Sequence, residues 1–171
     1  MKKRLFVLIL MMLLMVNTVY ASEVFGEVSS ECYNRNEFLN PGQSSSRDIK
    51  PFVVYGEYLS TGMLEIVNQG NGSIYICVDT LAHIDVDRIC HTVFLDQWDD
   101  KKEIWTQVGS WDFEKTKEEE GGKLSMMTDT ITISDVQTNK YYRARALHMV
   151  EIGDEIEGCA SETHGVLITK D

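Results

Sequence analysis

Between Met63 and Thr169 the apolar residues of this chain return at every second position in short runs, and each run ends in turn-forming residues. Ser73 to Ala82 is the most regular: Ile74, Ile76 and Val78 point one way, and Tyr75, Cys77 and Asp79 the other. A period of two belongs to an extended strand with one dry face. Similar runs cover Met63–Val67, Ile89–Leu95, Glu103–Trp111, Leu124–Ile133, Tyr141–Val150 and Ala160–Thr169. The turns between them include Asn68-Gln69-Gly70-Asn71-Gly72 and the polar stretch Asp96–Lys102. Asp112–Lys123 reads as a charged loop, because Gly121-Gly122 and the missing apolar face argue against a helix. Seven or so short strands without an amphipathic helix predict an all-β, antiparallel β-sandwich, with a small β-barrel as the alternative.

The start of the chain says where such a domain is sent. Lys2, Lys3 and Arg4 precede an apolar run from Leu5 to Val16, and Val19-Tyr20-Ala21 offers a cleavage site before Ser22. This is the pattern of a secretory signal peptide, and the run is too short for a comfortable bilayer span. The expectation is a signal peptide over 1–21, a flexible segment over 22–50 and a β-sandwich domain over 51–171. In the segment, Asn40-Pro41-Gly42 and Ser44-Ser45-Ser46 favour turns, and Phe52-Val53-Val54-Tyr55 could dock at a sheet edge. No lipobox precedes Cys32 and the sequence closes without a hydrophobic tail. The predicted location is therefore extracellular or cell-surface associated, without membrane insertion after cleavage. The Lys-rich, Leu/Met-rich leader suits a Gram-positive bacterium.

Charge narrows the partners. The leader holds three basic residues and no acid, so the remainder carries 13 Lys and Arg against 27 Asp and Glu, a net charge of −14. Nucleic acid and anionic membrane surfaces both require cationic footprints, and neither is expected as a partner. Four cysteines follow the leader, Cys32, Cys77, Cys90 and Cys159, and allow three disulfide connectivities. Cys77 and Cys90 flank a turn near His83–Asp85, which makes them the candidate pair. The absence of CxxC spacing argues against a zinc ribbon or a dithiol redox site.

Val136 is followed six residues later by Tyr142 and then Arg143-Ala144-Arg145-Ala146. This resembles the start of strand F in fibronectin type III and immunoglobulin-like domains, where a tyrosine bonds back to the preceding corner. Alternation directs Tyr142, Ala144 and Ala146 inward and Arg143 and Arg145 outward, with Trp105 as the bulky residue filling the room the alanines leave. Tyr58-Leu-Ser-Thr-Gly62, Thr80–Asp87, Trp105, Tyr141–Arg145 with His148, and Thr163-His-Gly165 together resemble a little-characterised family of small secreted proteins of Gram-positive bacteria. The resemblance covers about residues 55–169. It implies a fold and a location, and no catalytic residues.

Sites follow from residue chemistry. His83, His91, His148 and His164 lack the short paired spacing of a zinc centre, although His148 and His164 could meet across a sheet. Asp79, Asp85 and Asp87 crowd one turn, where capping is a simpler role than calcium binding. There is no GxSxG elbow, and neither a catalytic residue nor a cofactor is predicted. Trp98, in the polar turn Gln97-Trp98-Asp99-Asp100, could stack on a sugar ring. Arg143 and Arg145 are the candidate ligand-facing patch, or they pair across strands with neighbouring acids. The expected function is a non-enzymatic binding module for an extracellular or cell-wall ligand. The alternative is a small exported hydrolase acting on cell-wall or glycan material.

Overall fold

Residues 37–51 and 56–170 are described in a computed structural model, and all belong to one unit, Asn34–Asp171. The leader, Cys32 and Phe52–Tyr55 lie outside the described residues. Nine strands and no helix are found among them: β1 (Ser45–Pro51), β2 (Leu59–Gly70), β3 (Ser73–Ala82), β4 (Arg88–Asp99), β5 (Ile104–Thr116), β6 (Met126–Ile133), β7 (Lys140–Ile152), β8 (Glu155–Glu162) and β9 (Val166–Ile168).

The strands form two antiparallel sheets, β1-β2-β3-β6 and β5-β4-β7-β8, with β9 beside the start of β7. In immunoglobulin lettering these are A-B-E and C′-C-F-G, with β1 added outside A, so the fold is a fibronectin type III-like sandwich. The sheets stay separate, which excludes the closed barrel. The β2–β3 hairpin turns on Asn71-Gly72, both at positive φ (53° and 68°), as a two-residue type I′ turn requires.

Boundaries differ from expectation in three places. Ser45–Pro51 is a strand with full pairing to Thr61–Val67, so the sandwich includes residues before 51. The charged loop starts late, because Asp112–Thr116 still pairs with β4. The last run is two strands, interrupted at Thr163–Gly165. There the Thr163 hydroxyl replaces a ladder bond by accepting from the Ala144 amide at 2.9 Å.

The inner faces bury the predicted alternating residues: Ile74, Ile76 and Val78 of β3, and Tyr142, Ala144 and Ala146 of β7. Each fully buried aliphatic of this kind contributes about 1.5–3 kcal/mol. Tyr142 forms the corner its spacing implied. Its hydroxyl donates to the Gln137 carbonyl (3.2 Å) and accepts from Gln97 Nε2 (2.6 Å). Trp105 is not the residue that packs against the alanine strand. Val108 is an extra residue opposite the Leu95–Asp96 step, and this bulge reverses the facing of β5. Trp111 and Phe113 therefore pack on the core, while Trp105 lies on the outer face.

Candidate ligand-binding face

The outer face of the second sheet gathers all three sequence-predicted binding residues. β4 contributes Phe94, Asp96 and Trp98, β5 contributes Trp105 and Gln107, and β7 contributes Tyr141, Arg143 and Arg145. The arginines do project outward, but neither offers its charge to solvent: Arg143 is 3 % exposed and Arg145 9 %. Asp96, also buried, accepts Arg145 through both oxygens (2.7 and 2.9 Å) and Arg143 Nε at 3.0 Å. Arg143 Nη1 pairs with buried Glu162 of β8. The expectation of an open basic patch is thus corrected in favour of cross-strand pairing. Two cations and two carboxylates neutralise one another where water is excluded.

The same arginines order the aromatics. The Arg143 guanidinium lies 4.6 Å from the centre of the Trp105 ring, and that of Arg145 4.9 Å from Phe94. Such cation–π contacts gain strength when desolvated. Trp98 meets Trp105 edge-on at 5.3 Å. Phe38, from the chain preceding β1, completes the cluster: stacked on Trp105 at 5.5 Å and edge-on to Trp98 and Tyr141 at 5.1 and 4.8 Å. Trp98, Trp105 and Tyr141 are each part-exposed, and Phe38 is 38 % exposed. The face thus offers flat apolar rings to solvent above a rigid charged layer.

The other candidates separate. Cys77 and Cys90 do not form the proposed pair. The β3–β4 connection crosses between sheets, and alternation points one thiol out of each sheet, toward opposite surfaces. Burial, more than any charge, pushes both thiols above their ordinary value, so they remain protonated near neutral pH. The acids of the Asp79–Asp87 turn act locally: Asp79 accepts from the Thr128 hydroxyl, and Asp87 from the Gly153 amide.

His148 and His164 do not meet. His164 pairs with Glu37 at 2.9 Å, whereas His148 is buried across from His91. Between the two apolar core clusters runs a polar layer that spacing alone did not reveal. His148 Nδ1 bonds Thr80 Oγ1 at 2.9 Å, and its Nε2 bonds Ser161 Oγ at 2.7 Å. His91, 1 % exposed, sits with Nδ1 3.2 Å from Asp129 Oδ2, yet at an angle that gives no hydrogen bond. Desolvation holds His148 down to about 3, with His91 adding to the effect, and it lowers His91 against the pull of Asp129. Ser161 and His148 have hydroxyl–imidazole geometry, and each is 1 % exposed, inside the sandwich. Gly62 closes the layer, since a Cβ there would lie 2.7 Å from His148 and 2.8 Å from Cys159 Sγ.

Fold and site together define a fibronectin type III-like β-sandwich with an aromatic outer face on an internal ion network. The family of unknown function DUF6147 matches residues 35–165, and the chain belongs to that family. No curated protein matches the chain.

Proposed function

We propose that this protein is an exported, non-enzymatic binding module of a Gram-positive bacterium, and that its ligand meets the Trp98–Trp105–Tyr141 face. The carrying observation is the combination of exposed rings with a buried scaffold. Of three part-exposed aromatics, Trp105 is held under Arg143, itself fixed by Asp96 and Glu162, Trp98 packs edge-on against Trp105, and Tyr141 joins them through Phe38. Rings held in place lose little entropy on binding, which is how few residues come to dominate an interface. The amino-terminal leader and the acidic charge support work outside the cell, against wall or extracellular material rather than nucleic acid.

Expression of the full-length chain in a Gram-positive host tests this. The protein is expected in the medium and on isolated cell walls, beginning at Ser22. Trp98→Ala is expected to weaken sedimentation with walls by about tenfold, the loss of one good aromatic contact. Retention in the cytoplasm would overturn the location. Wall association indifferent to Trp98 would overturn the face.

A further inference from the structure

Glu37-Phe38-Leu39 lies on this face as a bound peptide would. Its backbone is extended and runs parallel to the interruption between β8 and β9, with Phe38 bridged to Gly165. The Leu39 amide donates to the Gly165 carbonyl and the Gly165 amide to the Glu37 carbonyl, both at 2.8 Å. Each of the three side chains has its own receptor. Glu37 pairs with His164, Phe38 enters between Trp98, Trp105 and Tyr141, and Leu39 packs on the core cluster.

Gly165 shows that the receptor is built for a ring. Its φ is not in the left-handed region, so backbone conformation does not demand glycine. Space does: a Cβ at 165 would stand 2.9 Å from both Phe38 Cδ1 and the tip of Trp105. Main-chain pairing plus pockets for successive side chains is the manner in which sheets take up extended peptides. The segment is held mainly through its side chains. It has two backbone bonds, its ion pair is solvent-exposed, and it joins β1 through the turn Asn40–Gln43, where Gly42 takes φ 97°.

We propose that the Trp98–Trp105–Tyr141–Gly165 groove is a site for an extended peptide of acidic–aromatic–apolar order, and that a second copy of this chain supplies that peptide by exchanging Glu37–Leu39. Exchange remakes the same contacts in trans, and every copy carries both the peptide and its receptor. The inference rests on the aromatic face being a binding surface, and it names one ligand for it.

Complementary variants of the full-length chain, recovered from an exporting host, decide the matter. Phe38→Ala leaves the groove empty and supplies no ring. Gly165→Ala fills the groove and keeps the segment intact, and Trp98→Ala serves the same purpose should Gly165→Ala misfold. Analytical ultracentrifugation is expected to find each variant monomeric alone and a one-to-one complex in the mixture. A labelled synthetic peptide of residues 34–44 is expected to bind the Phe38→Ala protein at least about tenfold more tightly than the wild type, whose groove is already occupied. The same peptide with Ala in place of Phe38 is expected not to bind. A mixture that stays monomeric overturns exchange between copies, and binding only to partners of other sequence counts as that same outcome. Equal binding of the two peptides overturns the peptide site. Either failure leaves the Trp98 dependence of wall association standing, and loss of wall association leaves the complementation result standing.

Discussion

Asp96 is the carboxylate on which the outer face depends. It is 2 % exposed and accepts three hydrogen bonds from two arginines on the neighbouring strand. Removing its charge leaves two buried guanidiniums facing one remaining carboxylate, Glu162, and breaking a buried pair of this kind typically costs about 3–5 kcal/mol. Asp96→Asn is therefore expected to lower the urea midpoint strongly and to shift tryptophan emission, because Arg143 would lose one of the two carboxylates that hold it over Trp105. Gly62 makes a different demand. A methyl group there must displace His148 or Cys159, both inside the sandwich, and overpacking of this kind costs about 1–3 kcal/mol. Gly62→Ala should show that loss in denaturant titration, whereas Gly121→Ala, with nothing near its Cβ, loses only what its positive φ imposes.

Strand β5 shows how one inserted residue sets the use of a whole element. Trp105 and Trp111 are both odd-numbered and would share a face in a regular strand. Val108 breaks the count, so one ring goes to the outer cluster and the other to the core. Deleting Val108 is expected to restore the regular count and to force one tryptophan onto the wrong face. Loss of cooperative unfolding, or a red-shifted emission spectrum from an exposed core tryptophan, would report it. The bulge also marks where sequence reading stops. Ile74, Ile76 and Val78 were legible because alternation is local, and Tyr142 because its corner lies only five residues upstream. Trp105 escapes such a reading because a bulge leaves no compositional trace. The Arg143 and Arg145 side chains were correctly aimed, yet their burial depends on Asp96 and Glu162, which reach them from other strands. Cys77 and Cys90 looked paired because a crossover between sheets resembles a hairpin when only the intervening turn is read.

The polar layer couples the whole molecule to acidity. Its members come one from each of six strands, β2, β3, β4, β6, β7 and β8, as Gly62, Thr80, His91, Asp129, His148 and Ser161. It divides the core into two apolar clusters, so opening it separates the sheets. Among the described residues, His148 faces the Thr80 and Ser161 hydroxyls, the Asp79 backbone and a second imidazole, and His91 faces Asp129, with Asp79 adding a weaker pull. In the unfolded chain His148 would titrate near its ordinary value of about 6.5. In the folded protein it is held down to about 3, so between these values the unfolded state binds a proton that the native state refuses. Stability contributed by neutral His148 is complete above about pH 6.5 and is lost progressively as the pH falls toward 3. Between pH 7 and pH 4 this amounts to about 3 kcal/mol at 1.36 kcal/mol per unit. Carboxylates add their own acid dependence, so the measurement is a difference. The wild type is expected to lose about 3 kcal/mol more between pH 7 and pH 4 than His148→Gln, which can still bond Thr80 or Ser161 but does not titrate. Equal losses in the two proteins would mean that His148 takes up its proton in the folded state as readily as in the unfolded one, and that acid opens the sandwich elsewhere.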